Sequence, residues 1–234
     1  MGNAARRYDV QDTVFTLAKA RTTTVLAQLD GEHNQAVTRF LFESGLLRKP
    51  ALLAKANLHD ARLHKAVLQG ANLAGTHLNR ANLTDAVLLN AVFYAEGKVD
   101  GGIQATTAEL PKADLSRAAL LGANLSECYL KEATLTDATL QSANLRGADL
   151  QGADLSHAAL QSADLSRTDL TDADLTGADL TDADLTKAEG ITNEELEQQA
   201  ASLEGATMPN GQKYEDWLKD KESRGENSEN RSSS

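Results

Sequence analysis

The chain has 234 residues, with 23 Lys/Arg against 34 Asp/Glu for a formal net charge of −11, and aromatic residues make up only 4%. That balance argues against a conventional core built on large rings and against direct nucleic-acid binding. The single Cys128 excludes an intramolecular disulfide, and no apolar run approaches the roughly 18 residues of a spanning helix, so no membrane contact is expected of this chain itself.

Residues 8–29 read as a helix, because Val10, Val14, Leu17, Ala18, Val25 and Leu29 fall largely on one stripe. Asp30-Gly31 is a turn signal. A second helix over 32–44 would bury Val37, Phe40 and Leu41, with Gly45 where a C-terminal cap belongs. Residues 1–50 are thus expected to form a helical hairpin, too small to stand alone and packed on the end of the segment C-terminal to it.

Leu then recurs at every fifth position, sixteen times from Leu110 to Leu185, after an earlier run from Leu53 that ends at Phe93. Ala stands two residues before nearly every one, with Thr76 an exception. A period of five is neither the 3.6 of a helix nor the 2 of a strand. Ala and Leu are the constant pair and must face inward, while the three variable polar positions face out. Four such units make a square coil of about 20 residues, and coils stack at about 4.8 Å. The twenty-five units of residues 51–190 therefore predict an all-β solenoid of about six coils.

The repeat breaks at residues 96–107, whose three Gly predict a loop bulging from one edge, either a tolerated insertion or a partner contact. After Leu185 the code fails, with Gly190 where the next Leu belongs. Thr192-Asn193-Glu194-Glu195 is a capping box that should start a helix running to about 202, laid over the open solenoid end. Pro209-Asn210-Gly211 is a turn, and Trp217 is expected to dock once more within a capping segment at 191–218. Residues 219–234, charged and rich in Ser and Asn, are expected to be disordered.

The charge is uneven. Residues 113–190 carry five Lys/Arg against fourteen Asp/Glu, whereas residues 51–95 carry four against two. Stepping by twenty places Asp114, Thr134, Asp154 and Asp174 in one column, Asn124, Asn144, Asp164 and Asp184 in another, and Glu109, Tyr129, Asp149 and Asp169 in a third. Asp164, Asp169, Asp172, Asp174, Asp179, Asp182 and Asp184 form a candidate acidic belt for a basic protein partner. The alternative is that Asp or Asn before the central Leu is turn chemistry, bonding nearby backbone groups. The five His show no zinc spacing, and regular coil spacing does not converge enough oxygens for a cation. Cys128 takes an Ala slot and should be a small buried residue. No phosphate-cradling loop or nucleophile elbow is present, so no catalytic residue, cofactor or metal is expected.

The A-(D/N)-L-x-x pattern, as in Ala148-Asp149-Leu150, resembles the pentapeptide repeat family. That resemblance implies a right-handed quadrilateral β-helix. The flanks at 17–31, 39–47, 203–211 and 214–218 resemble cyanobacterial and actinobacterial members with an N-terminal helical segment, several of which follow a transmembrane anchor. With no apolar stretch behind Arg6 and Arg7 to make a secretory signal, the chain is expected to be cytoplasmic, and the resemblance implies a membrane tether if the full-length protein carries an upstream anchor. It also implies a non-enzymatic scaffold for a protein partner. The alternative it raises is an acidic DNA mimic that interacts with DNA gyrase or another DNA-binding protein, although such members dimerise through an open C-terminal end that is expected to be covered here.

Overall fold

Each five-residue unit closes on itself before it meets its neighbours. The carbonyl of the central Leu accepts the N–H of the Ala three residues on, as from Ala61 to Leu58 at 3.0 Å and from Ala153 to Leu150 at 2.9 Å. The third residue of that turn is left-handed, a conformation that favours Gly. Yet among the described residues eighteen non-Gly residues hold it, from Lys55 (φ 59°) to Lys187 (φ 62°). Each such corner costs about 1–2 kcal/mol, so the stacked coils must impose it.

The computed structural model describes residues 19–48, 52–99 and 102–232. Parallel bridges join residues twenty apart, as in Glu109–Tyr129–Asp149–Asp169–Glu189. Three further columns run through Asp114–Thr134–Asp154–Asp174, Ala119–Thr139–Ala159–Asp179 and Asn124–Asn144–Asp164–Asp184, so the solenoid has four sides. At each bridge both backbone groups pair: Asp149 N–H donates to Cys128 O at 2.9 Å and Leu130 N–H donates to Asp149 O at 2.7 Å.

The interior is a stack of Leu ladders. Leu110, Leu130, Leu150 and their equivalents on the other sides are buried, as are the residues two before them, Ala108, Cys128 and Ala148 among them. Each such Leu contributes about 1.5–3 kcal/mol of hydrophobic stabilisation. Where Thr76 and Thr168 replace Ala, their buried hydroxyls donate to Leu73 O at 2.7 Å and Leu165 O at 2.6 Å, the carbonyls of their own turns. A polar group thereby enters the core without an unpaired donor.

The interruption differs from the expected loop. Strands β1 (Tyr94–Val99) and β2 (Gly102–Thr107) pair antiparallel, Tyr94 with Thr107 through Val99 with Gly102. Ala108 N–H donates to Phe93 O at 2.9 Å, so the hairpin leaves from one corner and returns to it. The bridge step there is 32 residues, His77 to Glu109, instead of twenty, and the ladder resumes in phase. The missed signal is Asp100-Gly101 between extended segments, a two-residue hairpin turn sequence.

At the N-terminal end, helix α1 is described over 19–28 and α2 spans Gly31–Glu43, with Asp30 as its N-cap accepting from His33 N–H at 3.0 Å. Residues 8–18 of the expected first helix lie outside the described residues. Gly45 follows the helix with φ 71°, donating its N–H to Phe42 O. The inward face of α2 is Asn34, Thr38 and Leu41, and Phe40, expected inside, is 64% exposed.

The C-terminal end corrects two expectations. Helix α3 (Asn193–Gln199) begins at the capping box, Thr192 with Glu195. It is an insertion within the last coil, not a lid beyond it. Ala201-Ser202-Leu203 and Ala206-Thr207-Met208 return to the repeat, with Ser202 bridging Asp179 and Thr207 bridging Asp184. The repeat therefore runs past 190. Gly190 breaks the code because a Cβ there would lie 2.3 Å from Thr171 N and 2.5 Å from its Cα. Helix α4 then spans Tyr214–Ser232, where a disordered tail from 219 was expected. Trp217 anchors it: the ring is buried, stacks on Tyr214 with centroids 6.0 Å apart, and lies 4.9 Å beneath Lys221 Nζ, which also pairs with Glu197 of α3. Charged Lys and Glu residues are good helix formers, so an anchored first turn propagates outward.

Candidate functional site

The residue before each central Leu is the natural place to seek a site, because it points outward on every side of the rod. Its chemistry is largely local. Asp149, Asp154, Asp164, Asp169, Asp174, Asp179 and Asp184 each accept, through Oδ1, the backbone N–H two residues on at 2.9–3.1 Å. Asn72, Asn82, Asn124 and Asn144 do the same. Where Ser or Thr stands two residues on, its hydroxyl often adds a second bond to the same oxygen, as from Ser166 to Asp164 at 2.6 Å. This is an Asx turn, and it explains why the repeat needs Asp or Asn there.

Five of the seven acidic-belt residues, Asp164, Asp169, Asp174, Asp179 and Asp184, are turn formers of this kind. The other two, Asp172 and Asp182, are left-handed corners, each with φ 57°. The structure brings Asp164 and Asp184 together as a bridged pair and places the remaining five on other sides or corners. Among the described residues no group of His, Cys, Asp or Glu is arranged to hold a metal ion.

Hydrogen bonding, more than neighbouring charge, sets the ionisation of Asp169 and Asp179. The Thr171 hydroxyl, then the Gln151 amide, hold Asp169 below its ordinary value. The Thr181 hydroxyl does the same for Asp179, against a smaller opposing effect of burial. These carboxylates are fixed anions at neutral pH, not proton donors.

Cys128 is buried in its Ala slot, and burial pushes its thiol up to about 12, which leaves it without thiolate character at neutral pH. Of the His residues, His77 meets Glu109 at 2.9 Å across the hairpin step, and His64 lies 3.9 Å from Asp85. Asp85 itself takes a two-pronged contact from Arg117, Nε to Oδ1 at 2.7 Å and Nη2 to Oδ2 at 3.1 Å. Each of these pairs is at least partly exposed to solvent. A depression on the outer face of α2 is lined by Glu32, Gln35, Ala36, Arg39, Phe40 and Glu43. Among the described residues no helix is long and apolar enough to cross a membrane.

Two features escaped sequence reasoning. Asn34 and Thr38, a polar pair at helical spacing on an inward face, bond the first coil directly: Asn34 Nδ2 donates to Arg62 O at 2.9 Å and Val67 N–H donates to Thr38 Oγ1 at 3.0 Å. At the other end Gln199 Oε1 accepts Leu175 N–H at 2.8 Å. Polar side chains thus stand in for backbone partners where no coil precedes the first one and where α3 interrupts the last.

The family model described as pentapeptide repeats matches eight copies, over residues 61–94, 113–152 and 148–186. No curated protein sequence matches. Among solved structures, HetL, a pentapeptide repeat protein involved in heterocyst differentiation regulation from Nostoc sp. strain PCC 7120, is similar at 30% identity, over 68% of this chain and 77% of that one, with a TM-score of 0.30. Rfr23 from Cyanothece 51142 is similar at 30% identity, over 60% of this chain and 85% of that one, with a TM-score of 0.30. A thylakoid-lumen pentapeptide repeat protein of Arabidopsis thaliana is similar at 25% identity, over 64% of this chain and 84% of that one, with a TM-score of 0.32.

Proposed function

The chain belongs to the pentapeptide repeat family, and from that premise we propose that it is a non-enzymatic scaffold, a right-handed quadrilateral β-helix that holds a protein partner against its outward faces. The observation that supports this is the filled interior: Leu side chains occupy the coil centre, so recognition has only the outside to use. That outside is rigid, because each coil is hydrogen-bonded to the next on four sides. The partner chemistry that fits residues 113–190 is a basic protein surface, met by the belt residues Asp164, Asp169, Asp172, Asp174, Asp179, Asp182 and Asp184.

The test is affinity capture with the full chain from cells of its source, beside a variant with Asp172→Asn and Asp182→Asn. Those two are the belt carboxylates outside the Asx turns. A partner retained by the native chain and weakened by the variant is the expected result. Equal capture by both sinks the belt as the contact, and no reproducible partner sinks the scaffold reading.

A second reading, an acidic DNA mimic acting on gyrase, has in its favour the charge of residues 113–190, five Lys/Arg against fourteen Asp/Glu. Inhibition or protection of gyrase in a supercoiling assay would establish it in place of the first.

A further inference from the structure

Charge is absent from one side of the rod until its last step, Asp179. The stretches 66–75, 86–93, 118–126, 138–145 and 158–163 contain no Asp, Glu, Lys, Arg or His, in a chain that is 24% charged. The bridges stack the first halves of these stretches on one side, Val67–Val87–Ala119–Thr139–Ala159, with Asp179 at its C-terminal end, and the second halves run onto the next side, Asn72–Val92–Asn124–Asn144, ahead of Asp164. Leu121, 46% exposed, projects from its middle.

The corner beside this face is charged and ordered. It carries Lys65, Asp85, Arg117, Asp137, His157 and Gly177, each backbone N–H donating to the residue just before the next corner. Reversed about the midpoint between Arg117 and Asp137, the column sets unlike charges opposite each other at its centre. Arg117, which within its own chain also holds Asp85, meets Asp137, and Lys65 meets Gly177, two residues before Asp179. The opposite corner, Gly70, Asn90, Gly122, Ser142 and Ser162, is neutral until Asp182 and opposes nothing on reversal.

We propose that this uncharged face binds a second copy of the chain in antiparallel register, two-fold symmetric about the Ala119–Thr139 step. A molecule of net charge −11 repels its own copies over most of its surface. This is the side where that repulsion is least and where the flanking corner converts it into attraction. The contact is isologous, so each Arg117–Asp137 pairing occurs twice. Six coils give a length of about 29 Å by the strand spacing, and one coil side is narrow. The interface is therefore at the small end of the range, and association is weak and salt-sensitive.

Sedimentation equilibrium on the full chain tests this, at about 10 to about 500 μM, a range suited to a small interface. The native chain is expected to shift from monomer towards dimer with concentration. Arg117→Asp places two acidic pairs across the contact, and Asp137→Arg places two basic pairs. Each variant alone should remain monomeric. Mixed in equal amounts they restore both pairings, and the mixture should associate at least as well as the native chain. Leu121→Glu, at an exposed position, should abolish association in either background, with circular dichroism confirming that each variant is folded. A native chain that stays monomeric, single variants that associate like it, or a mixture that does not associate would each overturn the proposal.

Discussion

Thr38 Oγ1 accepts the backbone N–H of Val67 at 3.0 Å, standing where the carbonyl of a preceding coil would be. Thr38 also donates to Asn34 O at 2.8 Å, and both residues are fully buried. Thr38→Val keeps the shape and removes the acceptor, which leaves a buried donor unpaired at a cost of about 1–3 kcal/mol. Amide exchange at Val67 should accelerate, while Thr38→Ser retains protection. Unchanged exchange in the Val variant would show that α2 does not complete the coil.

Gly190 and Gly70 separate two costs of the same substitution. Both are left-handed, with φ 77° and 65°. A Cβ at Gly70 meets nothing within 4 Å, whereas one at Gly190 meets Thr171 backbone at 2.3 Å. Gly70→Ala should cost about 1–2 kcal/mol, the left-handed penalty alone. Gly190→Ala must also displace the last coil, and its thermal midpoint should fall well below that of the Gly70 variant.

Ser142 is a left-handed corner with φ 54°. Ser142→Gly relieves a strain of about 1–2 kcal/mol and adds about 0.5–1 kcal/mol of unfolded-state entropy, so a small net stabilisation is expected. A lower melting temperature for this variant would mean that the corners are not strained.

Asp169 and Asp179 have folded pKa values lowered below the ordinary carboxyl value, chiefly by the Thr171 and Thr181 hydroxyls. Their contribution to stability is therefore present above the unfolded value of about 3.9 and lost as pH falls through the lower folded value. Thermal midpoints should drop on acidification below about pH 4. Thr171→Val with Thr181→Val should flatten that dependence, because the folded values then move back towards the unfolded one.

Cys128 fills an Ala slot and its thiol is pushed up to about 12 by burial. Cys128→Ala restores the repeat residue and should change stability by less than about 1 kcal/mol, as small core swaps do. In the native chain a thiol reagent should react only at the rate of coil opening, and rapid labelling would contradict the burial.

The repeat was legible because its cause is local. Ala148-Asp149-Leu150 already contains the inward pair and the Asx acceptor, and the same triplet solves the same problem at every turn. The belt at Asp164 to Asp184 was legible as charge but ambiguous as chemistry, and the bonds to Ser166, Thr171, Thr176, Thr181 and Thr186 account for five of its seven members. The hairpin at Tyr94–Thr107 was concealed because a five-residue code says nothing about a segment that leaves it. The return of Leu203 and Met208 to the core was concealed because α3 shifts the count between Leu185 and Leu203.

By itself the sequence determined the unit, its inward and outward positions and the stacking period, since these follow from side-chain size and turn chemistry within five residues. Only the tertiary structure decided the phase between the two runs. Asp85 meets Arg117 across a step of 32 residues because the hairpin takes up twelve and returns the chain to the corner it left. No local pattern sets that number. It is fixed by the backbone hydrogen bonds of the next coil, which accept the chain in one register, and the uncharged face and its complementary corner exist only in that register.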